Sequence, residues 1–345
     1  IQSTACGKPD DFINILITGA SGSLANTQCS VTFTNFPDPT PPALCAGAVF
    51  GRPCAVFRGG LVITIGGFAR LTDNPDVQGI LELLGLGALR SVGGLFIDIA
   101  DGSRVAALDI LPALQTVSGA GLQVLGARQV GAAPGLASLR TVDGQLFLVA
   151  TQLPNLVDFG RLAGVSDSAI LINNHNLTSL AGLGALKSVG GQLVLSLNAR
   201  LASLSGLEAL AEVGTDPSAH GFVGLSVANN TRLTSVAGLA GLRRVGGTLQ
   251  VANNPALASL AGLEGVVEVG DAAGSGASAG VAHAGVAVTG NTVLRDVSAL
   301  AGLGQCGAKG AAAASPSKRP SVKVEVFLET GVVTAAPEAA APPQA

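Results

Sequence analysis

Few residues in this chain have the types and spacing needed for chemistry. The cysteines and histidines among the 345 residues are Cys6, Cys29, Cys45, Cys54, Cys306, His175, His220 and His283. No two histidines have the spacing of metal ligands, and no Cys-x-x-Cys occurs. The Gly-Lys-Ser/Thr of a phosphate loop is missing as well. We therefore expect no catalytic residue, no metal and no cofactor, and we predict that the protein is not an enzyme.

The cysteines instead suggest disulfide bonds. Four of them lie within the first 54 residues, and Cys306 stands alone near the other end. We predict the pairs Cys6–Cys29 and Cys45–Cys54, although four cysteines allow three connectivities. For Cys306 two alternatives remain, a buried free thiol or a bond to another chain.

Two glycosylation sequons support an extracellular location. They place acceptor asparagines at Asn176 and Asn229, each followed two residues later by Thr. Clustered cysteines together with sequons are typical of secreted or cell-surface proteins, so we predict that location. We also expect a signal peptide or other segment upstream of Ile1, because the sequence does not begin with Met. The alternative is a cytosolic protein with buried thiols and two chance sequons.

Charge and hydropathy exclude two kinds of partner. The formal net charge is -3 and charged residues make up 12% of the chain, so there is no electrostatic case for nucleic-acid binding. No run of 18 or more uninterrupted apolar residues occurs, which argues against a transmembrane segment. We therefore expect other extracellular proteins, further copies of this chain, or glycans as partners.

An internal repeat determines the predicted fold. A phrase with an apolar residue at every third position ends in Val before a glycine-rich turn, and an alternating strand follows. The repeating valines are Val92, Val117, Val142, Val165, Val189, Val213, Val245 and Val269. A recurring period of about 24 residues is typical of a solenoid, in which each coil buries its apolar side against its neighbours. Period three is neither helical nor strand-like, so it predicts short 3₁₀-like or extended turns.

Asparagines recur at one place in the predicted coil. They stand three residues before the first Leu of the phrase, at Asn174, Asn198, Asn230, Asn254 and Asn291. An asparagine at a coil corner can hydrogen-bond backbone groups of its own and the next coil, so we predict a structural ladder. The alternative is a row of ligand-binding amides.

The phrase L-x-x-L-x-x-L-x-x-V-G-G-x-L-x-V-x-x-N, with cysteines at the ends, resembles the receptor L-domain family. This family includes growth-factor-receptor ectodomain modules and domains of fungal GPI-anchored cell-wall proteins. The resemblance covers roughly Gly59 to Cys306. It implies an all-β, right-handed, leucine-rich β-solenoid without catalytic activity. The repeat itself indicates about eight or nine coils.

The predicted organisation has three parts. Residues 1–58 form a cysteine-containing N-terminal cap, residues 59–306 form the solenoid, and residues 307–345 form a low-complexity Ala/Pro tail. Residues 322–329 of the tail alternate like one strand, which could pair with the open end of the solenoid. Insertions beginning at Gly214 and Asp271 are expected to emerge as loops.

The outward positions of the predicted sheet suggest a contact surface. A solvent-facing sheet normally carries Lys, Glu and Thr, but here Asp98 is the single charged residue. The candidate contact face comprises Phe96, Asp98, Leu125, Phe147, Val149 and Leu171. Two alternatives are that the cap or the C-terminal strand covers it, or that the assignment of inward and outward positions is shifted.

These observations leave two hypotheses for function. The favoured one is a non-catalytic structural or interaction subunit of a cell wall, cell surface or extracellular fibre. It is supported by the low charge, the unpaired Cys306 and the Ala/Pro tail. The alternative is a cell-surface recognition module that binds a protein or glycan through the sheet face, which Phe96 and Phe147 favour.

Overall fold

The structure is a computed structural model that describes residues 89–99, 107–109, 111–216, 223–270, 285–301 and 303. Outside these ranges it describes only the backbone of the strands near the two ends of the chain. In chain order the strands are β1 (Ala5–Cys6), β2 (Phe12–Gly19), β3 (Thr27–Thr34), β4 (Ala43–Leu44), β5 (Val56–Ile65), β6 (Ser91–Ile99), β7 (Thr116–Val117), β8 (Leu122–Leu125), β9 (Thr141–Val142), β10 (Leu146–Val149), β11 (Gly164–Val165), β12 (Ala169–Ile172), β13 (Ser188–Val189), β14 (Leu193–Ser196), β15 (Glu212–Val213), β16 (Val223–Ala228), β17 (Arg244–Val245), β18 (Thr248–Ala252), β19 (Glu268–Val269), β20 (Gly285–Thr289), β21 (Lys323–Leu328) and β22 (Gly331–Val333).

The longer strands of successive coils stack in parallel into one face. The order of neighbours is β5–β6–β8–β10–β12–β14–β16–β18–β20–β21, and every one of these pairings is parallel. Antiparallel pairs occur at the ends, between β2 and β3, β3 and β4, and β21 and β22. Because parallel neighbours need a long crossover connection, this order requires one full coil of chain between adjacent strands.

The two-residue strands stack into a second face. Their order is β7–β9–β11–β13–β15–β17–β19, again in parallel, and β7 also pairs with the start of β6. A third side has isolated parallel bridges, such as Ser203 with Ser235 and Ser259 with Asp296. The described residues thus form a parallel β-solenoid of about seven coils of about 24 residues, without an α-helix among them.

The core is built of aliphatic columns that run along the stack. One of them consists of the first Leu of each period-three segment, namely Leu177, Leu201, Leu233, Leu257 and Leu294, each at most 1% exposed. Burying such a side chain contributes about 1.5–3 kcal/mol relative to leaving it in water. A single coil has no apolar partner above or below it, so this stabilisation requires the stack.

Turns form the period-three segments. In one coil the N–H of Leu183 donates to the carbonyl of Leu180 at 3.0 Å, and the N–H of Leu186 donates to the carbonyl of Leu183 at 2.9 Å. Short 3₁₀ helices occupy the equivalent region elsewhere, at Pro134–Leu136, Val157–Phe159, Ala237–Leu239 and Ser298–Leu300. A bond between residues three apart places every third side chain on the same side, which here is the core.

Candidate contact surfaces

Buried asparagines connect successive coils at the corner after the long strand. The side-chain Oδ1 of Asn198 accepts from the N–H of Asn174 at 3.0 Å, and its Nδ2 donates to the carbonyl of Leu171 at 2.9 Å. The same two bonds recur at Asn230 and Asn254, and Asn291 donates to the carbonyl of Val251. Asn174 ends the row by accepting from both N–H and Oγ1 of Thr151. These amides are used within the fold and are not presented to a ligand.

The residue just before each ladder position adopts the left-handed conformation. Glycine, alanine or asparagine fills this position in most coils, for example Gly126, Asn173 and Asn253, with φ of 66°, 62° and 54°. Leu197 also has this conformation, with φ of 58°, and its side chain is 49% exposed. The left-handed region costs a branched residue more than glycine or asparagine. A strained and exposed leucine is therefore a candidate contact residue that the sequence analysis missed.

The long-strand face presents a row of apolar side chains to the outside. Phe96, Leu125, Phe147 and Val149 are half-buried, and each alternates with a fully buried neighbour in its strand. Asp98 occupies the same outward column as Leu125, with which it is paired between β6 and β8. These five candidate residues therefore lie together on three adjacent strands.

The prediction that Leu171 belongs to this face is wrong. Its side chain is 1% exposed and it pairs with the inward Leu148 and Leu195, while Ile170 and Ile172 take the outward positions. All four residues of strand β12 are apolar, so its sequence has no polar residue to mark the outward side. We use the name apolar face for the outward set Phe96, Leu125, Phe147, Val149, Ile170, Ile172 and Val194.

The outward side chains of the same sheet change along the stack from large and apolar to small or polar. On β16, β18 and β20 the outward positions hold Ser226, Gln250, Ala252 and Thr289, and the Ser226 hydroxyl donates to Oε1 of Gln250 at 2.9 Å. The large apolar groups are thus confined to the coils of β6–β14. Apart from Asp98, no described outward residue of the long strands ionises, so the face can bury apolar surface but has no paired acid and base.

Both sequons lie in surface turns. Asn176 is half-buried and its Oδ1 accepts from Nη1 of Arg200 at 2.9 Å, while Asn229 is exposed in the left-handed corner column, with φ of 58°. The hydroxyls of Thr178 and Thr231 donate to the carbonyls of Pro154 and Ala199 in the preceding coil. Each threonine thus also has a role in the fold, and glycosylation remains a prediction.

The cysteine hypotheses fall outside what the structure describes. Cys6 and Cys29 belong to β1 and β3, where only the backbone is described. Cys45, Cys54 and Cys306 lie outside the described residues, as do His220, His283 and most of the two insertions. The disulfide pairs and both alternatives for Cys306 therefore stay predictions.

The described residues contain neither a metal-binding cluster nor a membrane-spanning helix. Within them, no group of three or more His, Cys, Asp or Glu side chains is arranged to hold a metal ion. No helix in the described part of the chain is both long enough and apolar enough to cross a bilayer.

One carboxylate near the end of the stack has a perturbed pKa. Oδ1 of Asp296 accepts from the hydroxyl of Ser298 at 2.6 Å and from its N–H at 3.0 Å, and Oδ2 accepts from the hydroxyl of Ser259 at 2.8 Å. These bonds, of which that from the Ser298 hydroxyl has the largest effect, lower the pKa of Asp296 below its ordinary value of 3.8. Because Ser259 belongs to the preceding coil, the carboxylate joins two coils and does not form an isolated acid site.

The stacked coils, the buried asparagine ladder and the apolar face define the class of this protein as a parallel β-solenoid. Comparison of the chain with protein-family models, with curated proteins and with solved structures finds no match. These comparisons assign no family to the chain, and the resemblance to receptor L domains stays a prediction that rests on the repeat phrase.

Proposed function

We propose that this protein is a non-catalytic extracellular glycoprotein that acts as a structural or interaction subunit of a cell wall, cell surface or extracellular fibre. The observation that supports the proposal is the apolar face, where Phe147, Ile172 and Val194 stand on adjacent strands. Contiguous apolar surface of this kind, even when half-buried, marks sites of contact with other molecules. A stack of similar coils also supplies a long, repetitive surface for such contacts.

The proposal includes finer features of the fold. It takes the solenoid to be right-handed and related to receptor L domains, with eight or nine coils and a cysteine-containing N-terminal cap. The support is the repeat phrase, which continues outside the described coils, and the four cysteines within the first 54 residues. The sequons at Asn176 and Asn229 support attached glycans.

The alternative is a recognition module that binds a protein or glycan ligand through the apolar face. Two aromatic rings on that face, Phe96 and Phe147, favour it, because aromatic side chains are enriched where binding energy is concentrated. The two functions differ in stoichiometry: a subunit associates with many copies of one kind, whereas a module binds one ligand.

Sedimentation of the protein from its native source, with and without reductant, tests the proposal. Intact mass before and after glycan removal is measured in parallel. A structural subunit predicts large or thiol-sensitive assemblies that carry sugar. A glycosylated monomer that is indifferent to reductant would favour the recognition module, and unmodified protein with five free thiols would overturn the extracellular location.

A further inference from the structure

A continuous column of backbone hydrogen bonds runs along the corner just before the two-residue strands. Each member after the first donates its N–H to the carbonyl of its counterpart one coil earlier, at 2.8–2.9 Å. The members, in order along the stack, are Arg90, Gln115, Arg140, Ala163, Lys187, Ala211, Arg243 and Val267. Because these bonds fix the register of each coil against the next, the side chains of successive members are neighbours along the stack.

Cations alternate with uncharged residues along this column. Arg90, Arg140, Lys187 and Arg243 are all exposed and occur at every second coil. Adjacent strands of a sheet lie about 4.8 Å apart, so successive cations are spaced by about 9.6 Å. We call Arg90, Arg140 and Lys187 the cation row, because the surroundings of Arg243 differ.

The adjacent column beside the cation row holds no acid as far as Ser188. The next residues in the chain are small and mostly carry hydroxyls, namely Ser91, Thr116, Thr141, Gly164 and Ser188. Arg161 adds a further exposed cation on the coil between Arg140 and Lys187. Glu212 follows Ser188 in this column and pairs with Arg244 at 3.4 Å, and Asp143 lies beyond the buried Val142. This part of the surface is therefore locally positive although the whole chain has a formal charge of -3.

Basic residues that serve the fold are engaged differently. Arg244 forms ion pairs with Glu212 at 3.4 Å and Glu268 at 3.0 Å, and Nη1 of Arg243 donates to the carbonyls of Ala240 and Leu242. Within the described residues, by contrast, the side chains of the cation row have no ion-pair or hydrogen-bond partner. Three unpaired cations at a regular spacing repel one another weakly, so their charges contribute no attraction within the stack.

We propose that the cation row binds a linear acidic polysaccharide in which every second sugar carries an anionic group. Each sugar ring adds to a polysaccharide a length similar to the rise of one coil. A polymer with one anionic group per two sugars therefore carries a charge about every two coils, roughly 9.6 Å. The serine and threonine hydroxyls beside the row are suited to hydrogen bonds with sugar hydroxyls. Nucleic acid fits poorly, because its phosphates recur about every 3.4 Å along each strand of a duplex.

This surface lies at a different corner of the coil from the apolar face. The inference therefore does not rest on the proposed function, and either can fail without the other. An assembly through the apolar face would leave the cation row available, and a monomer could bind the polysaccharide equally well.

The test is binding of the full chain to immobilised hyaluronan, whose carboxylates recur on every second sugar. We expect saturable binding at about 50 mM salt that is lost near about 500 mM, because screening shortens the reach of exposed charges. Neutral dextran should not bind. Absence of binding to hyaluronan at low salt would overturn the proposal.

Substitutions then test whether binding depends on the spacing of the cations or only on the net charge. Arg140→Gln with Lys187→Gln should weaken binding by roughly threefold to thirtyfold, the effect of two exposed ion pairs of ordinary strength. Arg140→Gln alone should weaken binding less, and its matched control is Arg232→Gln, which removes one exposed cation on another corner and should change binding little. Because all of these side chains are exposed, unfolding curves should be unchanged, which shows that lost binding is not lost folding.

A transposed variant provides the sharpest test. Arg140→Ala combined with Ala163→Arg keeps the net charge but moves one cation to the next coil. We expect this variant to lose binding about as much as Arg140→Ala alone. Full binding by the transposed variant would refute the match of spacing. The protein could also associate with itself in a salt-sensitive way without polysaccharide, and Arg140→Gln with Lys187→Gln could abolish that association. This result would show that the cation row binds acidic residues of a second copy, and it would also overturn the proposal.

Discussion

The amide of Asn198 satisfies two backbone groups of the preceding coil at once. Its Oδ1 accepts from the N–H of Asn174 at 3.0 Å, and Asn198 itself is completely buried. Its Nδ2 donates to the carbonyl of Leu171, which belongs to a strand that is already paired on both sides. One side chain per coil thus completes the hydrogen bonding of a corner that water cannot reach.

Asn198→Ala should therefore destabilise the protein. It leaves one buried donor and one buried acceptor without partners, and each such group costs about 1–3 kcal/mol. We expect a loss of about 2–5 kcal/mol in the free energy of unfolding, measured with denaturant. The control is Asn176→Ala, where the lost bond is to the exposed Arg200. Equal losses in the two variants would contradict a structural role for the ladder.

Gly206 stands where two coils approach closely. Its φ is 112°, and a Cβ there would overlap the carbonyl oxygen of Leu180 in the preceding coil. Gly206→Ala must therefore adopt an unfavourable conformation and also push two coils apart, so we expect a loss of about 2 kcal/mol or more. Gly184→Ala is the matched control, since no atom lies within 4 Å of the position that its methyl group would take. The control should be neutral or slightly stabilising in the same unfolding experiment, and destabilisation there would show that the coils resist alanine for another reason.

The backbone of Leu197 has an unfavourable left-handed conformation, which its corner of the coil requires. Because asparagine occupies the same corner at Asn173, Asn229 and Asn253, Leu197→Asn should relieve the left-handed conformation. We expect stabilisation of about 1 kcal/mol, from the cost of that conformation for a residue with a Cβ. The reverse change, Asn229→Leu, should destabilise by a similar amount. If Leu197→Asn is instead destabilising, the leucine contributes packing that outweighs its strain.

A single charged substitution tests whether the apolar face is a contact surface. Ile172→Lys places an ammonium between Val149 and Ser196, on the strand that carries Ile170, so any association through this face should be lost because the charge cannot be desolvated without a partner. Sedimentation should show the loss, while the unfolding transition changes by less than about 0.5 kcal/mol, as for other surface substitutions. Thr289→Lys lies in the corresponding outward column at the polar end of the sheet and is the control. Assembly that survives Ile172→Lys but not Thr289→Lys would move the contact to the other end of the face.

Asp296 should make the last described coil sensitive to acid. Because its pKa is lowered in the folded protein, its stabilising contribution is present above the ordinary value of 3.8 and is lost as pH falls through the folded value. Asp296→Asn should be less stable than the parent protein near neutral pH, and the difference should shrink in acid. Hydrogen exchange at Leu300 and Ala301, which belong to the same coil, is the measurement. Asp143→Asn, which removes an exposed carboxylate without a hydrogen-bond partner among the described residues, is the control and should leave the unfolding transition at neutral pH unchanged.

The sequence alone determined the repeat and the residues of the period-three segments that face the core. The spacing of Leu and Val predicted a stacked β-solenoid, because only a stack buries one aliphatic residue at every third position. The asparagine column was also visible, since a polar residue that recurs at one register must find its hydrogen bonds inside the fold. These features repeat from coil to coil, so a single chain shows them many times.

The tertiary structure decided what periodicity could not. The outward residues of β12 are Ile170 and Ile172, because neighbouring strands fix the register where a wholly apolar strand leaves both faces alike. The left-handed backbone conformation of Leu197 could not be predicted from its residue type, because leucine rarely adopts that conformation. Hydrogen bonds between coils whose lengths differ placed Arg90, Arg140 and Lys187 in one column. Which side chains become neighbours depends on contacts between coils, and these form only when the chain is stacked.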